Sequence, residues 1–379
     1  MEAADARLRP AATPARPHRR PGPTDALFVS AVSLLVAVHL TIFIATLVLA
    51  PVTRAEAATL ALVQLPVEVA RVVVLPFHAL LLASLFVLGR RAAGRWAGFG
   101  AMLAVLALDL RADGVDPVYG PPTAEGGWIA AALIALAFVL LPRRRPAAAL
   151  LVGTASGFFP VALLALPAFL LAIAVFPPPG GRAAAWRAIG AFAGLWAGPA
   201  IALQLIWLAR LGPAGWTARA EGFTAELRPH AIVPWLEQMR ILFAAWHFDP
   251  LVTVTLASFL FVAAGTGVVR YFLVPRRGEA GPALLRVLQR LPIEFWAAGL
   301  CILVSSLWWG LSGDTAIIDA NLPMLAAATP LITAMAYRGA KWLLTVNRFW
   351  AFAAVAYLVG LILARTTQLM ITLVQAFQY

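Results

Sequence analysis

AAALLVGTASGFFPVALLALPAFLLAIAVF, residues 147–176, has no charged side chain, yet Gly153, Gly157, Pro160 and Pro167 interrupt it. A helix needs about 20 apolar residues to cross a hydrocarbon core of roughly 30 Å. The stretch is longer than one span, and its breakers allow it either to cross twice or to enter and return on one side. In both cases about 30 residues make only two short half-helices. Which side the chain leaves from decides how everything after Phe176 is threaded.

The rest of the chain supplies the same solvent argument. Of its 379 residues, 62% are hydrophobic and 12% charged, with a mean hydropathy of +0.87. A soluble domain is about half apolar and about a quarter charged, so an ordinary globular protein is excluded. The long apolar blocks exclude disorder and collagen-like structure. The single cysteine, Cys301, excludes an internal disulfide, and no Cys/His cluster has zinc spacing.

Residues 1–26 are rich in Ala, Pro and Arg and read as a disordered cytoplasmic tail. Residues 27–379 read as one polytopic membrane domain. Its expected spans are Leu27–Ala50, a surface or re-entrant turn with a span over Ala57–Leu88, then Trp96–Leu110, Trp128–Leu141 and Ala147–Phe176. Arg187–Ala209, Leu251–Val274, Ile293–Leu311, Thr315–Tyr337 and Phe349 to about Leu369 follow. Lipid leaves only helices, so the expected fold is all-α, a transmembrane bundle of about ten helices.

The net charge of +12 is carried mainly by arginines in short clusters between apolar blocks. That pattern sets membrane orientation rather than binding of nucleic acid. The tail, Arg90/Arg91/Arg95, Arg143–Arg145, the Arg276–Arg290 loop and Arg338 with Lys341 are expected to be cytoplasmic. The acidic or mixed segments alternate with them: Arg54 with Glu56, then Asp113, Asp116 and Glu125, then Gly212–Pro250, then Asp314 with Asp319. A multi-pass membrane protein with its N-terminus inside and its C-terminus outside fits that alternation. The outer loop over 212–250 far exceeds the usual connection and contains Trp216, Trp235, Trp246, His230 and His247. Its Val233–Phe248 part has one apolar helical face suited to lying in the interface.

No GxxxxGK[ST], G-x-S-x-G or H-E-x-x-H motif is present, which removes support for those ATP, serine and zinc chemistries. The ionisable groups remain. Glu68 and Arg71 in PVEVARVVVLP are three apart on a helix and either neutralise each other or meet a substrate. In LDLRADGVDPVYGPP, Asp113 and Asp116 could hold Mg²⁺ or Mn²⁺, or one could serve as a general base, unless they form a solvated turn. His39 and His78 read as interior histidines of apolar helices.

The stretch from Ala147 to Gly212 resembles the GT-C class of membrane glycosyltransferases, which take sugars from polyprenyl-phosphate donors. The shared pattern is a glycine-rich helix, a small-residue turn, a Pro-containing helix, a short basic loop and a span ending near a proline. DANLPMLAAATPLITAMAYRGA, Asp319–Ala340, is similar to a late helix of that class. The resemblance implies a catalytic acid in the first outer loop, where Glu56 stands, and a second acidic position at Asp113 or Asp116. It implies as partners membrane lipids and a lipid-linked sugar donor, with an envelope glycan or lipid as acceptor. Arg219, Arg228 and His230 then become candidate phosphate contacts, since a departing phosphate needs positive charge. Two other readings stay open: a transporter or flippase lined by Glu68, Arg71, Gln204 and Asn321, and a non-catalytic membrane subunit.

Overall fold

The computed structural model describes residues 23–49, 60, 64–107, 126–227, 262–273, 291–312, 322–346 and 348–349. Its regular elements are helices, and among the described residues there is no strand. The chain divides between Val38 and His39 into two compact units. The first contains most of α1, Pro23–Leu49, which opens on a proline and has Asp25 in its first turn. A proline lacks only an N–H that the first turn leaves unused, and an acid suits the positive helix end. Leu27, Val29 and Leu34 on this helix are exposed.

Within the second unit, α2 (Val67–Ala93) and α3 (Arg95–Ala107) form a hairpin about Gly94, whose φ of 101° favours glycine. A Cβ on Gly89 would lie 2.7 Å from the Ala97 carbonyl oxygen, so the two backbones touch there. This is a close small-residue approach of the kind that packs helices tightly. The buried stripe Ala70, Val74, His78, Leu81, Leu85 and Leu88 has helical spacing and carries α2 straight through Pro76. The expected surface turn over the first part of Ala57–Leu88 is therefore corrected at residue 67. The helix also continues past Gly89 to Ala93.

The centre of the unit is α4 (Gly126–Leu140), buried on nearly every side, as a uniformly apolar helix should be. It runs parallel to α2, since His78 meets Trp128 near one end and Arg91 meets Val139 near the other. A tight turn then leads into α5 (Arg145–Phe158), a 3-10 turn (Pro160–Leu164) and α6 (Ala165–Val175). Phe138, Phe169 and Phe192 stack at 4.9 and 5.6 Å, tying α4 and α6 to α7, Gly181–Leu227.

The helix α7 changes direction at Gly212 (φ 68°, ψ 172°) and continues to Leu227. The expected loop over 212–250 thus begins as helix. Residues 262–268 with the π-helical Val269–Leu273 make α8; α9 is Ile293–Ser312 and α10 is Leu322–Val346. Arg338 and Lys341, expected between spans, lie inside α10. Backbone meets backbone where α8 crosses α10, because a Cβ on Gly339 would strike the carbonyl of Ala263.

Among the described residues, two helices are long and apolar enough to cross a membrane, by length and composition: α2 and the Gly181–Thr217 part of α7. The apolar stretches Gly126–Leu140, Val161–Val175 and Ile293–Ser305 are shorter. The all-α fold stands, whereas the count of about ten spans does not follow from these helices. An enclosed helix such as α4, at about 22 Å, need not reach either face of a bilayer.

Candidate functional site

Arginines gather where α2 ends and α4 passes into α5. Arg90 and Arg91 close α2, and Arg143–Arg145 occupy the α4–α5 turn beside it. Arg91 Nη1 donates to the Val139 carbonyl at 2.9 Å and lies 3.8 Å from Glu294 Oε1 in the first turn of α9. Arg338 donates to the Ala92 carbonyl and stacks 4.3 Å over Tyr271, while Arg270 sits 4.8 Å over Trp342. Cation–π contacts and carbonyl bonds of this kind position long side chains at the end of a helix.

The segment quoted at the outset returns to this basic end. Arg145 Nη2, at the start of α5, donates to the carbonyl of Phe176, just after α6, at 3.0 Å. Burial holds the Arg145 guanidinium below its ordinary pKa. At roughly 21 and 17 Å, α5 and α6 are half-helices that leave and come back to one end. Their turn lies at the other extreme and is served by α7. Gly157 O accepts from Trp207 Nε1 at 3.0 Å and from Gln204 Nε2 at 3.5 Å. Ser156 Oγ donates to Val152 O and accepts from Trp196 Nε1 at 3.2 Å. Beyond the Gly212 bend, Trp216 Nε1 folds back to Gln204 Oε1 at 3.2 Å.

This network was not singled out from sequence as a unit. Trp196 and Trp207 are eleven residues apart, which places both on one face of α7 and is the signal that could have found it.

Arg71 is buried at 2% exposure, one turn inside the opposite end of α2 from the arginine cluster, whereas Glu68 is exposed. The spacing suggested that they neutralise each other, but no ion pair joins them. His78 is buried and meets the Trp128 ring edge-on at 5.7 Å, in keeping with an interior histidine. Glu56, Asp113, Asp116, Arg228, His230 and Asn321 lie outside the described residues, as do the side chains of Arg219 and His39. Among the described residues no three His, Cys, Asp or Glu side chains converge to hold a metal ion. The Mg²⁺ or Mn²⁺ site expected at Asp113 and Asp116 concerns residues beyond that set.

The chain matches no protein-family model, no curated protein and no solved structure.

Proposed function

We propose that this protein is a membrane-embedded transferase that moves a sugar from a polyprenyl-phosphate donor to an envelope glycan or lipid acceptor. The observation that supports the reading is the gathering of arginines where α2 and α4 end and α5 begins. The described starts of α2 and α4 and the end of α3, which flank the segments holding Glu56, Asp113 and Asp116, point away from the arginine cluster. On the positive-inside rule the cluster faces the cytoplasm of a bacterial-type inner membrane, and the acidic segments then face outward. Glu56 serves as base toward the acceptor hydroxyl, and Asp113 and Asp116 hold acceptor or a divalent metal. Arg219, Arg228 and His230 hold the departing phosphate. Arg71, buried near that same end of α2, and Glu68 are the further candidate substrate contacts.

The test is a strain comparison by mass spectrometry of envelope glycans and lipids: deletion, wild type, and Glu56→Gln at matched expression. Loss of a defined sugar that only wild type restores is the expected result. Restoration by Glu56→Gln removes the catalytic assignment.

One observation favours a second reading, transport. Broken half-helices whose ends meet inside a bundle line substrate paths in transporters. The α5–α6 turn with Ser156, Gln204, Trp196 and Trp207 is such a break. Flux into proteoliposomes that Gln204→Leu abolishes, with envelope sugars unchanged, selects it.

A further inference from the structure

The α4–α5 turn concentrates positive charge that few acids among the described residues approach. Arg143 and Arg144 are exposed, with their backbone N–H groups both bonded to the Leu140 carbonyl at 3.0 and 2.7 Å. The neighbouring carbonyl, Val139, takes Arg91 from α2, with exposed Arg90 next to it. Among the described groups the acid at this corner is Glu294, 3.8 Å from Arg91. Arg144 is also the N-cap of α5 and makes no side-chain cap. Cations at the positive end of a helix are the unfavourable sign, so an anion here relieves repulsion among several groups at once.

The adjoining surface is apolar: Leu150 on α5 and Leu171 and Val175 on α6 are exposed within a few turns of the same corner. We infer that this corner binds an anionic phospholipid, its phosphate held by Arg143, Arg144 and Arg90 and its acyl chains laid along Leu150, Leu171 and Val175. A basic pocket between helices at the cytoplasmic side suits such a headgroup. The apolar bed beside it is what a free phosphate ion would not use. The inference rests on the membrane location in the reading above, and not on its transfer chemistry.

The full chain, purified in mild detergent, is titrated with phosphatidylglycerol and with phosphatidylcholine, and bound lipid is counted by native mass spectrometry. Wild type is expected to prefer phosphatidylglycerol. Arg143→Gln with Arg144→Gln is expected to weaken it roughly 30-fold, the effect of two charges at a membrane surface. Arg210→Gln, on α7, is expected to leave it unchanged. Arg143→Lys with Arg144→Lys keeps the charge should the glutamine pair fail to fold, and is expected to stay within a few-fold of wild type.

Equal binding of the two lipids by wild type, or undiminished phosphatidylglycerol binding by the glutamine pair, overturns the inference. So does a lysine pair that binds no lipid while folded. Inorganic phosphate is the competing arm: if it displaces the lipid at equal concentration, the corner is a free-anion site and the lipid assignment falls. Glu56→Gln separates the two readings, because lost sugar transfer with intact lipid binding leaves this site standing. A protein that leaves the membrane fraction without detergent removes the shared premise.

Discussion

Two helical hairpins in this protein turn in opposite surroundings. The α2–α3 hairpin turns at Gly94, flanked by Arg90, Arg91 and Arg95; Gly94 N donates to Arg90 O, and the charged Arg338 donates to Ala92 O. The α5–α6 hairpin turns over Phe158–Leu164 without a charge, and side chains from α7 reach in to satisfy Gly157 O. A turn bathed in water leaves its spare carbonyls to solvent, whereas a turn in hydrocarbon must find every partner within the protein. On the membrane reading proposed above, the charged hairpin is the one that meets water, and the hairpin served by neutral Trp and Gln donors is the one that does not.

The largest effect that tests this contrast is chemical access. In a Cys301→Ser background, Arg143→Cys in permeabilised membranes is expected to react rapidly with an impermeant maleimide. Phe159→Cys is expected to react at least about 100-fold more slowly, because a thiol in apolar surroundings does not ionise. Similar rates at both positions would place water at both ends and dissolve the contrast.

Packing comes next in size. A Cβ on Gly153 would strike the Trp196 carbonyl and lie 2.8 Å from Pro199 Cγ, so Gly153→Leu has backbone in its way. Overpacking of this kind is expected to lower stability by about 3 kcal/mol. Gly190, farther back on α7, has nothing within 4 Å of its Cβ position. Gly190→Ala is expected to be neutral or to stabilise by up to about 1 kcal/mol through helix propensity. Thermal unfolding of both variants in one detergent checks the pair. A Gly153→Leu protein as stable as wild type would mean that α5 is not clamped to α7.

Much of this was legible because blocks bounded by charge or turn residues define helices. Trp128–Leu141 and Ile293–Leu311 were expected, and Gly126–Leu140 and Ile293–Ser312 are observed. Three readings failed for separate physical reasons. The surface turn expected early in Ala57–Leu88 gives way to helix, because the hydrogen bond lost at Pro76 does not stop a helix held by the packed stripe from Ala70 to Leu88. Their charge places Arg338 and Lys341 between spans, but a long side chain lets the backbone stay helical while the Arg338 head reaches the Ala92 carbonyl and the Tyr271 ring. The spacing of Glu68 and Arg71 allows an ion pair or a substrate contact, and no ion pair joins them. Three residues leave only about 60° between two side chains on a helix, so the pair straddles the edge of the buried stripe, with Arg71 buried and Glu68 exposed.

The candidate site was less legible than the fold. Its hairpin network runs through backbone carbonyls, which every residue has, so no residue type announces Gly157 O as an acceptor. The carboxylates that carry the proposed chemistry were readable in sequence, and they lie outside the described residues.

The third effect isolates the imported donor. Trp207 is buried, and Trp207→Phe keeps most of its ring while removing the hydrogen bond to Gly157 O. A buried carbonyl that loses its partner is expected to lower stability by about 1–3 kcal/mol. Gln204, at 3.5 Å, compensates only in part. A loss within error of zero would show that another donor reaches the turn, and the hydrocarbon argument for it would weaken accordingly.

The smallest effect belongs to the charged hairpin and tests the other half of the contrast. Arg91 has a side chain 34% exposed and sits 3.8 Å from Glu294 Oε1. Such a pair in contact with water contributes little, so Arg91→Gln is expected to lower stability by less than about 1 kcal/mol. The loss should shrink further as salt is raised from about 0.05 M to 1 M, where the screening length falls to roughly 3 Å. Chemical unfolding at both salt concentrations measures it. Because Glu294 itself is buried at 6% exposure, the opposite result has a definite meaning. A loss of several kcal/mol that salt does not touch would show that the Arg91–Glu294 pair is enclosed like the Gly157 turn, and charge would then no longer mark the hairpin that meets water.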